Sequence, residues 1–117
     1  MSRTKLKPIL PSLREKKRYI AFEAIADHAI EFGKVQSDIK DAGKELVGTL
    51  GMAKAGMMVL ENKWSDNKGI IKVGHKHVDA IKASLALAKS PGVVYRSLGV
   101  SGILKKAENN YLKSKSE

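Results

Sequence analysis

The order of its strand and helix patterns constrains the fold of this 117-residue chain more than any other feature of the sequence. In residues 18–25 the apolar side chains Ile20, Phe22 and Ala24 occupy alternate positions, and this period of two is typical of a strand. Ser37 then predicts a helix N-cap, with Asp38 in the first turn and a helical apolar spacing that continues to the glycines near residue 50. The chain therefore opens with a strand followed by a helix.

The remaining patterns alternate between the same two kinds of element. Strands are predicted over residues 57–64, 69–73 and 93–100, and the Ser-Asp-Asn-Lys-Gly stretch at 65–69 has the composition of a hairpin turn. A second helix is predicted over 78–88, where Val78, Ile81 and Leu85 share one face, and Ser101 is predicted to cap a third helix. This β-α-β-β-α-β order predicts an α+β, ferredoxin-like sandwich with an extra C-terminal helix.

In this plan both crossover helices cover one face of the sheet, and the other face is expected to be free for a partner. RNA-recognition modules with the same plan stack bases on aromatic side chains of that face. The third strand begins with Lys68 and Gly69, as their signature does, but continues without an aromatic residue. An aliphatic free face favours a protein partner over stacked bases. Its expected members are Ile25, Ile71 or Val73, Leu98 and Val100.

The net charge of +10 is concentrated at the two ends of the chain. Residues 1–18 carry +6 and residues 96–117 carry +3, whereas residues 19–95 carry only +1. Because residues 1–17 lack a regular apolar period, we predict a flexible basic arm there, a single RNA-binding domain over 18–112 and a tail over 113–117. A basic protein of this kind is expected to bind a polyanion, and nucleic acid is the commonest one.

Two groups of residues are predicted to contact RNA phosphates. The arm brings positive charge next to the first strand, and phosphate neutralisation requires charge and reach more than exact geometry. Ser101 and Gly102 lie where a strand meets a helix, and backbone N–H groups at a helix N-terminus attract phosphate. The predicted RNA-binding residues are Arg14, Lys16, Lys17, Arg18, Arg96, Ser101, Gly102, Lys105 and Lys106.

The sequence favours a protein with no catalytic or metal site of its own. It contains no cysteine, which excludes a disulfide framework, a thiolate nucleophile and a cysteine metal site. The pattern around Ser101 lacks the closing glycine and the later histidine of a nucleophile elbow. Two alternatives stay open. Asp38, Asp41 and Glu45 share a helical face that could hold Mg²⁺ for nuclease chemistry, or the chain could bind protein alone.

The sequence also predicts where the protein works. None of its apolar stretches approaches the length of a membrane-spanning helix, and the basic N-terminus lacks the apolar core of a signal peptide. We therefore expect a soluble, unexported protein without membrane partners, located in the cytoplasm.

Four blocks of the sequence resemble the ribonuclease P protein component 2 family of archaea. The most specific block is residues 11–22, which read PSLREKKRYIAF. The others are residues 50–55 (LGMAKA), 69–72 (GIIK) and 98–102 (LGVSG). Their order and spacing extend the resemblance over residues 9–112.

The resemblance implies a non-catalytic subunit of an enzyme whose RNA performs the chemistry. Ribonuclease P removes the 5′ leader of precursor tRNA. Magnesium serves the RNA in that reaction, so the resemblance implies no cofactor on the protein. Proteins of this family bind the catalytic domain of the RNA and pair with ribonuclease P protein component 3, with which they can assemble as a heterotetramer. Precursor tRNA would be a partner only indirectly, and the family fold is the ferredoxin-like plan.

Overall fold

The computed structural model describes residues 16–88 and 90–112, and it confirms the predicted order of strands and helices. Two 3₁₀ turns lie at Glu61–Lys63 and His75–His77, and a π-helical turn over Glu108–Leu112 extends the last helix. We call residues 104–112 the C-terminal helix. The elements are β1 (Lys17–Ile25), α1 (Phe32–Ala55), β2 (Met58–Val59), β3 (Lys68–Gly74), α2 (Val78–Leu87), β4 (Val94–Ser101) and α3 (Leu104–Ala107).

The four strands form one antiparallel sheet in the order β2-β3-β1-β4, which is the ferredoxin-like order. β1 lies in the middle because it pairs with β3 on one side and β4 on the other. Since both pairings are antiparallel, the start of β1 lies beside the ends of β3 and β4. This arrangement brings three distant parts of the sequence to one end of the sheet.

The core lies between the sheet and the helices α1 and α2. The alternation predicted for β1 is confirmed, because Ile20 and Phe22 are fully buried and pack with Ile39 of α1 and Ile81 of α2. The ring of Phe22 also stacks on Trp64, with ring centroids 5.8 Å apart and planes inclined by 25°. Burial of these side chains is the main force that holds the helices on this face.

Helix α1 begins at Phe32, five residues before the predicted cap, so the assignment of Ser37 as an N-cap is wrong. The reason is that the buried face of α1 starts at Val35, four residues before Ile39, and Ser37 lies within the helix. The predicted break near the glycines is present as an interruption at Gly48, where a φ of 79° requires glycine. The helix then resumes and ends at Ala55.

The predicted hairpin turn is confirmed between Ser65 and Lys68. Its two central residues, Asp66 and Asn67, have φ values of 56° and 59°, as a type I′ turn requires. The strand before it is much shorter than predicted, because the chain leaves β2 after Val59 to form a 3₁₀ turn. This detour turns Trp64 inward, where its indole N–H donates to the carbonyl of Ile30 at 3.0 Å.

Asn67 joins this turn to the segment that leads into α1. Its Oδ1 accepts a hydrogen bond from the N–H of Ile30 at 2.8 Å, and its Nδ2 donates to the carbonyl of His28 at 2.9 Å. We expect Asn67→Ala to lower the free energy of unfolding by roughly 2 kcal/mol, because two hydrogen bonds are lost at a residue with positive φ. Urea unfolding measures this loss. Asn62→Ala, at an exposed site nearby, is the matched control, and equal effects of the two substitutions would contradict the assignment.

The face of the sheet turned away from α1 and α2, which we call the second face, is only partly free, and this corrects the prediction. The C-terminal helix lies across it, and Ala21 and Ile70 are fully buried there. A side chain at Gly99 would meet the Tyr111 ring at 2.2 Å, so the ring lies directly on the glycine. An ion pair of 2.9 Å between Lys63 and Glu108 joins the middle of this helix to the 3₁₀ turn after β2.

The aliphatic residues predicted for the second face are mostly elsewhere. Ile71, Val73 and Val100 pack in or against the core on the helix-covered face. For Val100 the cause is a β-bulge, since the register of β4 against β1 shifts between the pairs Ala21↔Gly99 and Phe22↔Ser97. The extra residue is Leu98, and it exchanges the faces of all residues that follow it in β4.

Candidate nucleic-acid interface

One end of the sheet gathers lysines and an arginine from separate parts of the sequence. Lys17 lies opposite Gly74 at the end of β3, and the N–H of His75 donates to the carbonyl of Lys16 at 2.8 Å. The Nζ of Lys17 lies 3.7 Å from the position that a Cβ would take on Gly56, the residue that follows α1. We call this region the basic end and define it by Lys16, Lys17, Arg18, Lys54, Lys72, Lys76, Lys105 and Lys106.

Arg18 meets the end of β4 within the basic end. A Cβ on Gly102 would lie 3.3 Å from Nη1 of Arg18, so the guanidinium rests against the backbone of Gly102. The same Nη1 donates to the carbonyl of Lys17 at 3.1 Å, which fixes the side chain at the strand end. The structure thus brings together Arg18 and Gly102, two residues that the sequence placed in separate predicted groups.

Ser101 is the last residue of β4 and does not cap the helix as predicted. Its Oγ accepts a hydrogen bond from the N–H of Ile103 at 3.1 Å, and Ile103 is the N-cap residue of α3. Because α3 is only four residues long, its dipole is a weak source of attraction for phosphate. Lys105 and Lys106 are exposed on this helix and supply full positive charges in its place.

Arg96 lies apart from the basic end. Its Nη2 donates to Oε2 of Glu23 at 2.5 Å, and the pair lies on the second face. Glu23 and Tyr19, the β1 residues opposite Arg96 and Ser101, are four residues apart, or roughly 13 Å along the strand. Arg96 is therefore not within reach of the Ser101 region, although both belong to the predicted RNA-binding set.

The rest of the predicted set lies outside the described residues. This holds for Arg14 and the arm up to residue 15, and for the tail at 113–117. Of the predicted arm, Lys16 and Lys17 are described, and Lys17 is already the first residue of β1.

The three carboxylates of the nuclease alternative line a groove of about 500 Å³ between α1 and α2. Asp38 is already engaged there, because its Oδ2 accepts a hydrogen bond from the Tyr95 hydroxyl at 2.6 Å and lies 3.6 Å from Lys34 Nζ. Burial, together with the hydrogen bond to Asp38 and its charge, raises the pKa of Tyr95 above its usual value. Across residues 16–88 and 90–112, His, Asp and Glu side chains form no group of three that could hold a metal ion.

Sequence reasoning missed three members of the basic end. Lys54 lies in the last turn of α1, Lys72 lies in β3 and Lys76 follows β3. The available signal was topological, because antiparallel pairing of the first strand with the third and fourth brings the ends of those strands to the arm. Lys72 carried a further signal as the one charged residue within an otherwise apolar stretch from Ile70 to Val73.

Fold and site together define a ferredoxin-like protein with a cationic sheet end and a second face partly covered by a C-terminal helix. In the described part of the chain, no helix has both the length and the apolar character that a membrane crossing requires. The chain belongs to the Rpp14/Pop5 family, whose model matches residues 18–112.

Individual relatives agree with this assignment. Ribonuclease P protein component 2 of Thermococcus gammatolerans is 34% identical, over 94% of each chain. The protein of that name from Methanocaldococcus jannaschii is 38% identical, over 92% of this chain and 81% of its own. Among solved structures, a chain in the cryo-EM structure of yeast ribonuclease MRP shares the fold, with a TM-score of 0.63 at 16% identity, covering 81% of this chain and 85% of its own.

Proposed function

We propose that the chain is a protein subunit of ribonuclease P that binds the catalytic domain of the enzyme's RNA and supports removal of the 5′ leader of precursor tRNA. The observation that carries the proposal is the basic end, where the strand ends collect cations from four parts of a chain whose relatives are named ribonuclease P protein component 2. Cations so placed suit contacts to the phosphates of a folded RNA.

In this proposal the RNA performs the cleavage and binds the Mg²⁺ that the reaction needs. The protein screens RNA charge, which favours close approach of RNA segments that would otherwise repel each other. Precursor tRNA is reached through the RNA. Asp38, one of the three carboxylates of the nuclease alternative, supports assigning the chemistry to the RNA, because its side chain is bound by Tyr95 and Lys34.

The proposed protein partner is ribonuclease P protein component 3, in an assembly with two copies of each chain and in the cytoplasm. Apolar side chains on the outer surface of the helices support a protein contact there, since Leu46, Leu50 and Leu87 are 41%, 69% and 48% exposed. Such a contact would bury apolar surface that the described residues leave open to water.

The test is the salt dependence of RNA binding by the full-length chain. If about five phosphates are neutralised, log affinity should fall against log salt with a slope of roughly −3 to −5. A filter-binding or anisotropy series with ribonuclease P RNA measures this slope. A flat response would contradict the proposal. RNA cleavage by the protein alone that is lost in Asp41→Ala would favour the nuclease alternative.

A further inference from the structure

We propose that Tyr19, Lys72 and Ser101 form a platform that binds one unpaired nucleotide, with the base on the Tyr19 ring and a phosphate at Lys72. The inference rests on the proposed function and deepens it, because it assigns a class of RNA element to one part of the basic end. It also revises the expectation from the sequence that this fold lacks a stacking site.

The three residues form a row across the sheet. Antiparallel register places Lys72 of β3 opposite Tyr19 on one side and Ser101 of β4 opposite it on the other. Met58 of β2 lies opposite Lys72 and is 56% exposed, so the row continues to the sheet edge. Side chains directly opposite one another are within about 5 Å at their Cβ atoms, which is close enough to contact one ligand together.

The row faces away from α1 and α2. Ile20, which follows Tyr19, is fully buried in the core, and successive residues of a strand point to opposite faces. Tyr19 therefore belongs to the second face, where the C-terminal helix buries the neighbouring row at Ala21 and Ile70. Tyr19, Lys72 and Ser101 all remain partly exposed, so this helix stops short of closing their row.

Charge distinguishes this row from the other open row of the second face. That other row lies beyond the C-terminal helix and consists of Lys68, Glu23 and Arg96, with Glu23 in the middle. The carboxylate of Glu23 is bound to Arg96 and would repel phosphate. The Tyr19 row contains a lysine and no acidic residue.

Stacking requires that the base be outside a duplex. Proteins bind unpaired nucleotides by combining an aromatic side chain with nearby cations, and the aromatic contact contributes about 1–3 kcal/mol per base. A duplex offers its phosphates to Lys72 but no free base to Tyr19. The platform is therefore expected to discriminate single-stranded from double-stranded RNA, whereas the basic end as a whole binds both.

The experiment compares full-length variants for binding to a short single-stranded oligoribonucleotide and to a hairpin duplex of the same composition. Tyr19→Leu should weaken single-strand binding by roughly 5- to 100-fold without changing the salt slope, and Tyr19→Phe should stay within about 2-fold of the wild type. Lys72→Gln should reduce the salt slope by about 0.7. Lys68→Gln, in the same strand and on the same face, is the matched control and should leave the slope unchanged.

A second measurement does not depend on a variant. Wild-type protein irradiated with the oligonucleotide carrying 5-iodouridine should cross-link at Tyr19. Cross-linking at another residue, or wild-type affinity in Tyr19→Leu, would overturn the platform while salt-dependent RNA binding still supports the proposed function. Failure of the wild-type chain to bind either RNA in a salt-dependent way would overturn both.

Discussion

Replacing Lys16, Lys17 and Arg18 together with glutamine is expected to weaken binding to ribonuclease P RNA about 100-fold near physiological salt. At such salt concentrations each lost phosphate contact lowers the affinity by a factor of about 5, and the factors for three contacts multiply. Lys16 directly precedes β1, and Lys17 and Arg18 begin it where the ends of β3 and β4 meet it, so the three residues lie at the centre of the basic end. The salt slope should fall by roughly 2 to 3 in the same titration.

The matched control removes the same charge elsewhere. Lys40, Lys44 and Lys82 are exposed on α1 and α2, away from the basic end, and their triple glutamine variant should bind RNA nearly as the wild type does. Because Lys17 also lies near the end of α1, thermal unfolding of both variants should accompany the titration. Equal losses of affinity in the two triple variants would mean that only total charge matters, which would contradict a localised interface.

Phe22→Ala is expected to cost about 3–5 kcal/mol of the free energy of unfolding. The ring is fully buried, stacks on Trp64 and lies against Gly69, where a Cβ would come within 3.2 Å of it. Removing the ring leaves a cavity at the junction of β1 with the segment before β3. The expected loss is a large part of the total free energy of unfolding, which is about 5–15 kcal/mol for a typical domain. Urea unfolding followed by the fluorescence of the single tryptophan and by circular dichroism measures the loss.

Ile25→Ala is the control for this substitution, because it shortens a β1 side chain that is 48% exposed. We expect it to cost less than about 1 kcal/mol. A Phe22→Ala variant no less stable than Ile25→Ala would show that the Phe22–Trp64 contact is not part of the central core.

The fold could be predicted from the sequence wherever one face of an element is uniformly apolar. The alternation of Ile20, Phe22 and Ala24 marks β1 correctly because their side of the strand faces the core. The start of α1 was misplaced because Ser37 has the chemistry of a cap, yet the burial of Val35 extends the helix beyond it. A local capping preference of about 1 kcal/mol cannot outweigh that packing.

The site could be predicted only in part, since its geometry depends on register. The charge of residues 16–18 was evident, but their position beside Gly102 follows from the pairing of β1 with β4. The covering of the middle of the second face could not be derived from the apolar pattern alone. It depends on Gly99, whose missing side chain makes room for Tyr111. Likewise, Tyr19 and Lys72 are 53 positions apart in the sequence and become neighbours only through strand pairing.

The bulge at Leu98 shifts the alternation of inward and outward side chains in β4 by one position. Upstream of it, Tyr95 points into the core, and downstream Val100 does so, although strict alternation would assign these two residues to opposite sides. If Leu98 were instead paired opposite Ala21 in a regular strand, Val100 would face solvent and Ser101 would turn inward. The bulge therefore lets Tyr95 and Val100 both contribute to the core while Ser101 lies on the second face beside Tyr19.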